Sequence, residues 1–214
     1  MKRALMDKLY TIGHSNHEIG PFIELLAMHE ITAVCDVRSS PYSKYNPQYN
    51  REPLQKALKE SGIAYVYLGD ALGPRSDDPA CYVDGKVQYS RLARGKNFRE
   101  GLARLRAGMK TYRIAMMCSE KDPITCHRMI LICRELRSEP FAIEHILEDG
   151  RVEGLRESEQ RLILELRAPQ LRLFERPEDL IQRAYDTQGE RIAYVRDDGA
   201  SGRDESQEKK SWGE

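Results

Sequence analysis

Short β-branched apolar runs alternate with stretches of helical periodicity along most of this chain, and that alternation leaves few folds open. Leu9 to Gly13, Ile31 to Val37, Ile63 to Leu68, Tyr112 to Cys118 and Phe141 to Leu147 have the length and residue types of strands. Between them, Ile19, Phe22, Ile23, Leu26 and Ala27 recur at helical spacing, as do Phe98, Leu102, Leu105 and Met109. Ser15 and Glu18 have the spacing of a capping box before the first helix. Pro53 to Ser61 reads as a helix stopped by Gly62, and Asp122-Pro123 as the start of another that runs to about Arg137. Strands and helices alternating in this way predict a three-layer α/β sandwich, with helices on both faces of a mainly parallel sheet of about five strands.

The α/β domain is expected over residues 1–166, ending in an amphipathic helix from Leu155 to Leu166. An appendage of helical and extended character is expected over 167–196, with Leu180, Ile181 and Ala184 at helical spacing and Ile192 to Val195 as a possible strand. Residues 197–214 contain a single apolar residue, Ala200, before Trp212 and read as a disordered charged tail. No apolar run approaches the roughly 20 residues that span a bilayer, and the first residues lack a secretory core. Five cysteines, an odd number in a chain of 214 residues, point to reduced thiols. A cytoplasmic protein with no membrane association is expected.

Ligands of open parallel sheets bind beyond the carboxyl ends of the strands. Those ends carry His14 and Ser15, then Asp36, Arg38 and Ser39, then Gly69 and Asp70, then Cys118 and Glu120. Each has an ordinary structural alternative: His14 capping a helix, Arg38 pairing with a carboxylate, Asp70 fixing a turn. Their joint occurrence on one edge points to a site. Arg75 follows two glycines that permit close backbone approach, and an arginine can take a phosphate in bidentate fashion. No Walker loop or Gly-x-Gly-x-x-Gly fingerprint is present.

The loop from Ser39 to Asn50 interleaves Tyr42, Tyr45 and Tyr49 with Lys44. It could stack a flat ring and bind phosphate, or pack its tyrosines on the body. Residues 91–113 carry eight basic side chains against Glu100 alone, either a nucleic-acid footprint or a solvated helix face.

Cys118 ends a strand ahead of a helix amino terminus, where thiolates are stabilised. It is the strongest nucleophile or polarising group in the chain. Glu120 is a candidate base, His14 and His127 candidate proton carriers, and Arg38 and Arg128 candidate anion clamps; Glu120 and Arg128 could instead form a salt bridge. A strand-end cysteine in a phosphatase cradle is commonly followed by an arginine six residues on, but position 124 is isoleucine. With a helix starting at Pro123, Cys126 lines up with Met129, Ile130 and Cys133 on an apolar face, and Cys126 and His127 diverge by about 100°. That geometry disfavours zinc, so no metal ligand is assigned.

Several long motifs occur together: Thr11 to Asn16, Asp36 to Asn50, Leu68 to Gly73 with Arg75, and Met117 to Pro123 with Cys126-His127-Arg128. From about Leu9 to Leu166 the chain resembles the bacterial and archaeal family catalogued as domain of unknown function 488. The family carries no established activity. The resemblance implies one α/β domain with signature positions His14, Ser15, Asp36, Arg38, Gly69, Asp70, Cys118, Glu120, Cys126, His127 and Arg128. Where the family often has a second glycine after Leu-Gly, this chain has Pro74.

Three functions are open on these grounds. The leading one is a cytoplasmic enzyme, possible chemistry being a thiol-assisted hydrolase or transferase, for a small phosphorylated or nucleotide-like compound. A nucleic-acid-binding protein and a metal-binding module are the alternatives. Neither cofactor nor oligomeric state is specified.

Overall fold

The computed structural model describes residues 8–167 and 176–196. Its strands are β1 (Lys8–Gly13), β2 (Ala33–Asp36), β3 (Ala64–Tyr67), the short β4 (Tyr82–Val83) and β5 (Lys86–Val87), then β6 (Ile114–Cys118), β7 (Ala142–Ile146) and β8 (Val152–Gly154). The central sheet has the order β3-β2-β6-β1-β7-β8, and β4 and β5 pair separately as a hairpin. β1, β2, β3, β6 and β7 run parallel, whereas β8 is antiparallel to β7. Five strands were expected and six form, because the three residues of β8 are too few to leave a periodic signal.

Strand alternation sorts the core into two halves. Ala115 and Met117 of β6 join Tyr10, Ile12 and Val34 under α1 (Ile19–Met28) and α2 (Arg51–Glu60), which contribute Phe22, Leu26, Leu54 and Leu58. Ile114, Met116 and Cys118 point to the other face. There they meet Phe98, Leu102 and Leu105 from α5 (Lys96–Met109), which follows the short helices α3 (Gly69–Leu72) and α4 (Tyr89–Arg94).

Two local expectations change. Helix α1 is preceded by Glu18 with no side-chain cap, so Ser15 and Glu18 form no capping box; Ser15 instead occupies a left-handed turn (φ 49°). The expected helix after Asp122 is broken. The Asp122 carboxylate accepts from the amide of Ile124, as a cap should, but only a 3₁₀ turn over Pro123–Thr125 comes next. Cys126 is then extended (φ −126°, ψ 141°), and the chain resumes as a turn of π-helix over Arg128–Cys133 before α6 (Arg134–Leu136).

The segment beyond the expected domain boundary packs on the same core. α8 (Pro177–Ile192) lies against α7 (Leu155–Glu165) and the π-helical turn. It buries Ala184 and Tyr185 completely or nearly so. The Tyr185 hydroxyl donates to Glu159 at 2.9 Å, and Gln188 donates to the carbonyl of Ile124 at 2.8 Å. After α8 the chain lies along the hairpin, the amide of Val87 donating to the carbonyl of Tyr194 at 2.9 Å. The expectation of a disordered tail over 197–214 lies outside the described residues. No helix among the described residues is long and apolar enough to cross a membrane.

Candidate functional site

β6 is inserted between β2 and β1, so its end sits in the middle of the sheet. The chain leaves β2 toward α2 on one face and leaves β6 toward the π-helical turn on the other. The diverging connections open a crevice, as at the switch point of open α/β sheets. A cavity of about 290 Å³ occupies it. Its wall includes Arg38, Ser39 and Arg75, the strand-end residues Cys118, Ser119 and Glu120, and Cys126 and His127.

The broken helix brings three donor atoms together. Because Cys126 is extended rather than helical, its side chain and that of His127 converge. The Cys118 and Cys126 sulphurs and one ring nitrogen of His127 all lie within 4.8 Å of one another. His127 Nδ1 is 3.5 Å from Cys118 Sγ and 3.8 Å from Cys126 Sγ. Nε2 lies 3.0 Å from the carbonyl of Val37; a carbonyl only accepts, so Nε2 carries the hydrogen, and Nδ1 of the neutral ring presents its lone pair to the sulphurs. The expected divergence of Cys126 and His127 on a helix is thereby corrected; Cys126 is buried in the core, as expected, and it also lines the cavity.

The environment treats the two thiols differently. The neighbouring Cys126 sulphur, together with burial, pushes the Cys118 thiol well above the ordinary range. Burial opposes ionisation of Cys126, but the neighbouring Cys118 thiol and the Arg128 guanidinium pull it well below that range. Cys35, in mid-sheet, is pushed up to about 12 by burial. All five cysteines are buried and free. Glu120 borders the cavity, and desolvation, with the Cys126 sulphur nearby, lifts its carboxyl above the usual range.

The two arginines expected as anion clamps are occupied. Arg38 binds the Asp36 carboxylate through Nε at 2.9 Å and Nη2 at 2.6 Å, and Nη2 also donates to the carbonyl of Tyr49. Asp36 is fully buried and accepts a further bond from the Tyr65 hydroxyl. Arg128 is fully buried; Nη1 donates to the carbonyl of Glu120 at 2.5 Å and Nη2 to that of Lys121 at 2.9 Å, while Nε has no partner. It holds the strand-end loop through backbone carbonyls, not through a salt bridge to the Glu120 carboxylate.

His14 is not among the cavity-lining residues. It stacks on Tyr49 with ring centroids 4.0 Å apart, with Nδ1 bonded to the carbonyl of Ser15 and Nε2 facing Arg38. Ser15 bonds its neighbour Asn16. Tyr42 donates to Glu52 and is exposed, as is Lys44, and neither lines the cavity. Gly69 and Asp70 border a second hollow that meets the first at Ser39 and Arg75. A Cβ on Gly69 would lie 1.8 Å from the carbonyl oxygen of Arg38, so that glycine is required for close packing. Arg75 is the cavity arginine left with an exposed head, resting over the Tyr194 ring at 4.2 Å.

The basic stretch is largely engaged. Arg106 pairs with Glu139, Arg113 with Glu30 and Lys96 with Glu100, while Arg91 and Arg99 bond backbone carbonyls.

The family model described as domain of unknown function DUF488 matches residues 18–134, more than half of the chain. The chain belongs to this family. No curated protein and no solved structure matches it. The DUF488 span contains Cys118, Cys126, His127 and Arg128, but ends before the cavity residues Ile192 and Tyr194. Sequence reasoning missed those two; the apolar 192–195 run was their only signal, and nothing local said where it would dock.

Proposed function

We propose that the protein is an enzyme, a hydrolase or transferase, that takes a small phosphorylated or nucleotide-like compound into the crevice at the carboxyl ends of β2 and β6. The observation that carries this reading is the convergence of Cys118, Cys126 and His127 on the wall of that cavity. Reactive groups gathered in a concave site, with perturbed ionisation, mark active sites more often than packing. A volume of about 290 Å³ is at the low end for small-molecule pockets, which fits one sugar phosphate or nucleoside-sized group. Arg75 and the Ser39 and Ser119 side chains are the polar groups available to an anionic substituent, since Arg38 and Arg128 are committed to the protein. Cys118, whose thiol is held protonated, acts as polarising group, and Glu120 carries a proton at the cavity wall.

The test is a panel of sugar phosphates and nucleoside monophosphates, assayed for binding by calorimetry and for product by mass spectrometry. One compound class should bind wild-type protein and be converted. Arg75→Ala should weaken binding at least tenfold, and Cys118→Ser should bind the same compound with turnover reduced about 100-fold or more. If nothing in the panel binds below about 1 mM, the upper end of ordinary substrate constants, the reading fails.

A further inference from the structure

We propose that Cys118, Cys126 and His127 form a three-ligand site for a zinc-class divalent transition metal, with its fourth coordination position open to the cavity. The proposal rests on the reading of that cavity as the reactive site, and names the group that works there.

The donor set and its spacing carry the inference. Two cysteine sulphurs and one imidazole are the soft and borderline ligands that select such ions. Zinc bonds of about 2.3 Å to sulphur and about 2.0 to 2.1 Å to nitrogen, at the tetrahedral angle, place ligand sulphur and nitrogen about 3.6 Å apart. The two observed sulphur–nitrogen separations are 3.5 Å and 3.8 Å. Two of the three edges that these ligands would span in a coordination tetrahedron are already at the right length, and the third, between the sulphurs, is within 4.8 Å.

The surroundings are those of a ligand set. A metal-bound histidine usually donates its other ring N–H to a carbonyl or carboxylate, and His127 donates to the carbonyl of Val37. The Cys126 sulphur also faces a peptide donor, the amide of Arg128 lying 3.5 Å from it. Arg128 positions the ligands: fully buried, it binds the carbonyls of Glu120 and Lys121 through its Nη groups and so fixes the loop that follows Cys118.

A bare nucleophilic thiol accounts for Cys118 and His127 but leaves Cys126 without a task. Three protein ligands with an open position account for all three, and such a site can polarise a phosphoryl or carbonyl oxygen. Glu120 lines the same cavity and is placed to move a proton at the open position.

The experiment uses untagged full-length protein purified without chelator, its metal content measured by plasma mass spectrometry. The chelator-stripped protein is then titrated with cobalt(II). About one equivalent of metal per chain is expected, with a sulphur-to-cobalt charge-transfer band and the intense visible bands of tetrahedral cobalt. Cys126→Ser and His127→Gln should each weaken cobalt binding at least tenfold, and Cys133→Ala, a buried cysteine outside the cluster, should leave it unchanged. Wild-type protein that takes up no cobalt and shows no charge-transfer band overturns the proposal, and so does a folded Cys126→Ser variant with undiminished affinity. Variants that do not fold leave the decision to the wild-type spectrum. Metal binding without any ligand from the phosphorylated panel upholds this inference while the substrate reading fails; ligand turnover by metal-free protein does the reverse.

Discussion

His14 accepts a hydrogen bond from Arg38, its Nε2 lying 3.2 Å from Nη1, because its Nδ1 is committed to the carbonyl of Ser15 at 2.8 Å. The ring is thereby held as the neutral tautomer with Nδ1 protonated; it braces the arginine and does not line the cavity.

That arrangement makes folding pH-dependent. Burial, with the Arg38 cation adding to it, lowers His14 from 6.5 to about 4. The unfolded chain then takes up this proton at higher pH than the folded one. Stability is complete above about pH 6.5 and falls as pH drops toward 4, by roughly 3 kcal/mol when the step is complete. Chemical denaturation of wild type and His14→Gln at several pH values checks this: the wild-type curve should fall more steeply between pH 6.5 and 4, and parallel curves would refute it.

The Asp36–Arg38 pair is a buried ion pair, with the carboxylate fully and the guanidinium almost fully covered. Removing one partner strands the other charge, at a cost of about 3 to 5 kcal/mol. Arg38→Ala and Asp36→Asn should each lower stability in that range, and the double variant Asp36→Leu/Arg38→Met should cost less than Arg38→Ala alone. Additive losses in a double-mutant cycle would contradict the pairing.

Gly13 ends β1 where a Cβ would fall 1.9 Å from the carbonyl oxygen of Glu120. Gly13→Ala must push β1 away from the strand-end loop, and a loss of about 2 to 3 kcal/mol is expected. Gly20→Ala in α1 is the control, since nothing lies within 4 Å of its added Cβ; helix propensity should leave it neutral or slightly stabilising. Thermal unfolding of both variants distinguishes a steric requirement from a general intolerance of alanine.

Tyr185 is buried in the core and bonded to Glu159. Tyr185→Ala should cost about 3 to 5 kcal/mol, and a chain ended after Arg167 should show no cooperative unfolding. A truncated protein of wild-type stability would mean that α8 is dispensable.

In metal-free protein at neutral pH, Cys126 should alkylate faster than Cys35. The neighbouring Cys118 thiol and the charge of Arg128 outweigh burial at Cys126, whereas burial dominates at Cys35 and holds it near 12. Peptide mapping after brief iodoacetamide treatment gives the order, and equal labelling of the two would sink the assignment.

Local pattern determined the elements. Alternating β-branched runs and helical spacing are enough for a covered parallel sheet, and the strand-end rule placed Arg38, Ser39, Cys118 and Glu120 at one edge, together with His14, Asp36 and Asp70, which do not line the cavity. Asp122 even caps the turn that its sequence announces. The path of the chain past that turn was not legible, because propensity cannot show that Cys126 leaves the helix. At that break Arg128 binds the carbonyls of Glu120 and Lys121, and Gln188, far along the chain, binds that of Ile124. The insertion of β6 between β2 and β1, the docking of Tyr194 by the hairpin and the internal use of Arg38 and Arg128 are likewise long-range outcomes. A sequence states which residues can hydrogen-bond or ligate; only packing decides which of them are already satisfied, and which, like Cys118, Cys126 and His127, are left facing a cavity together.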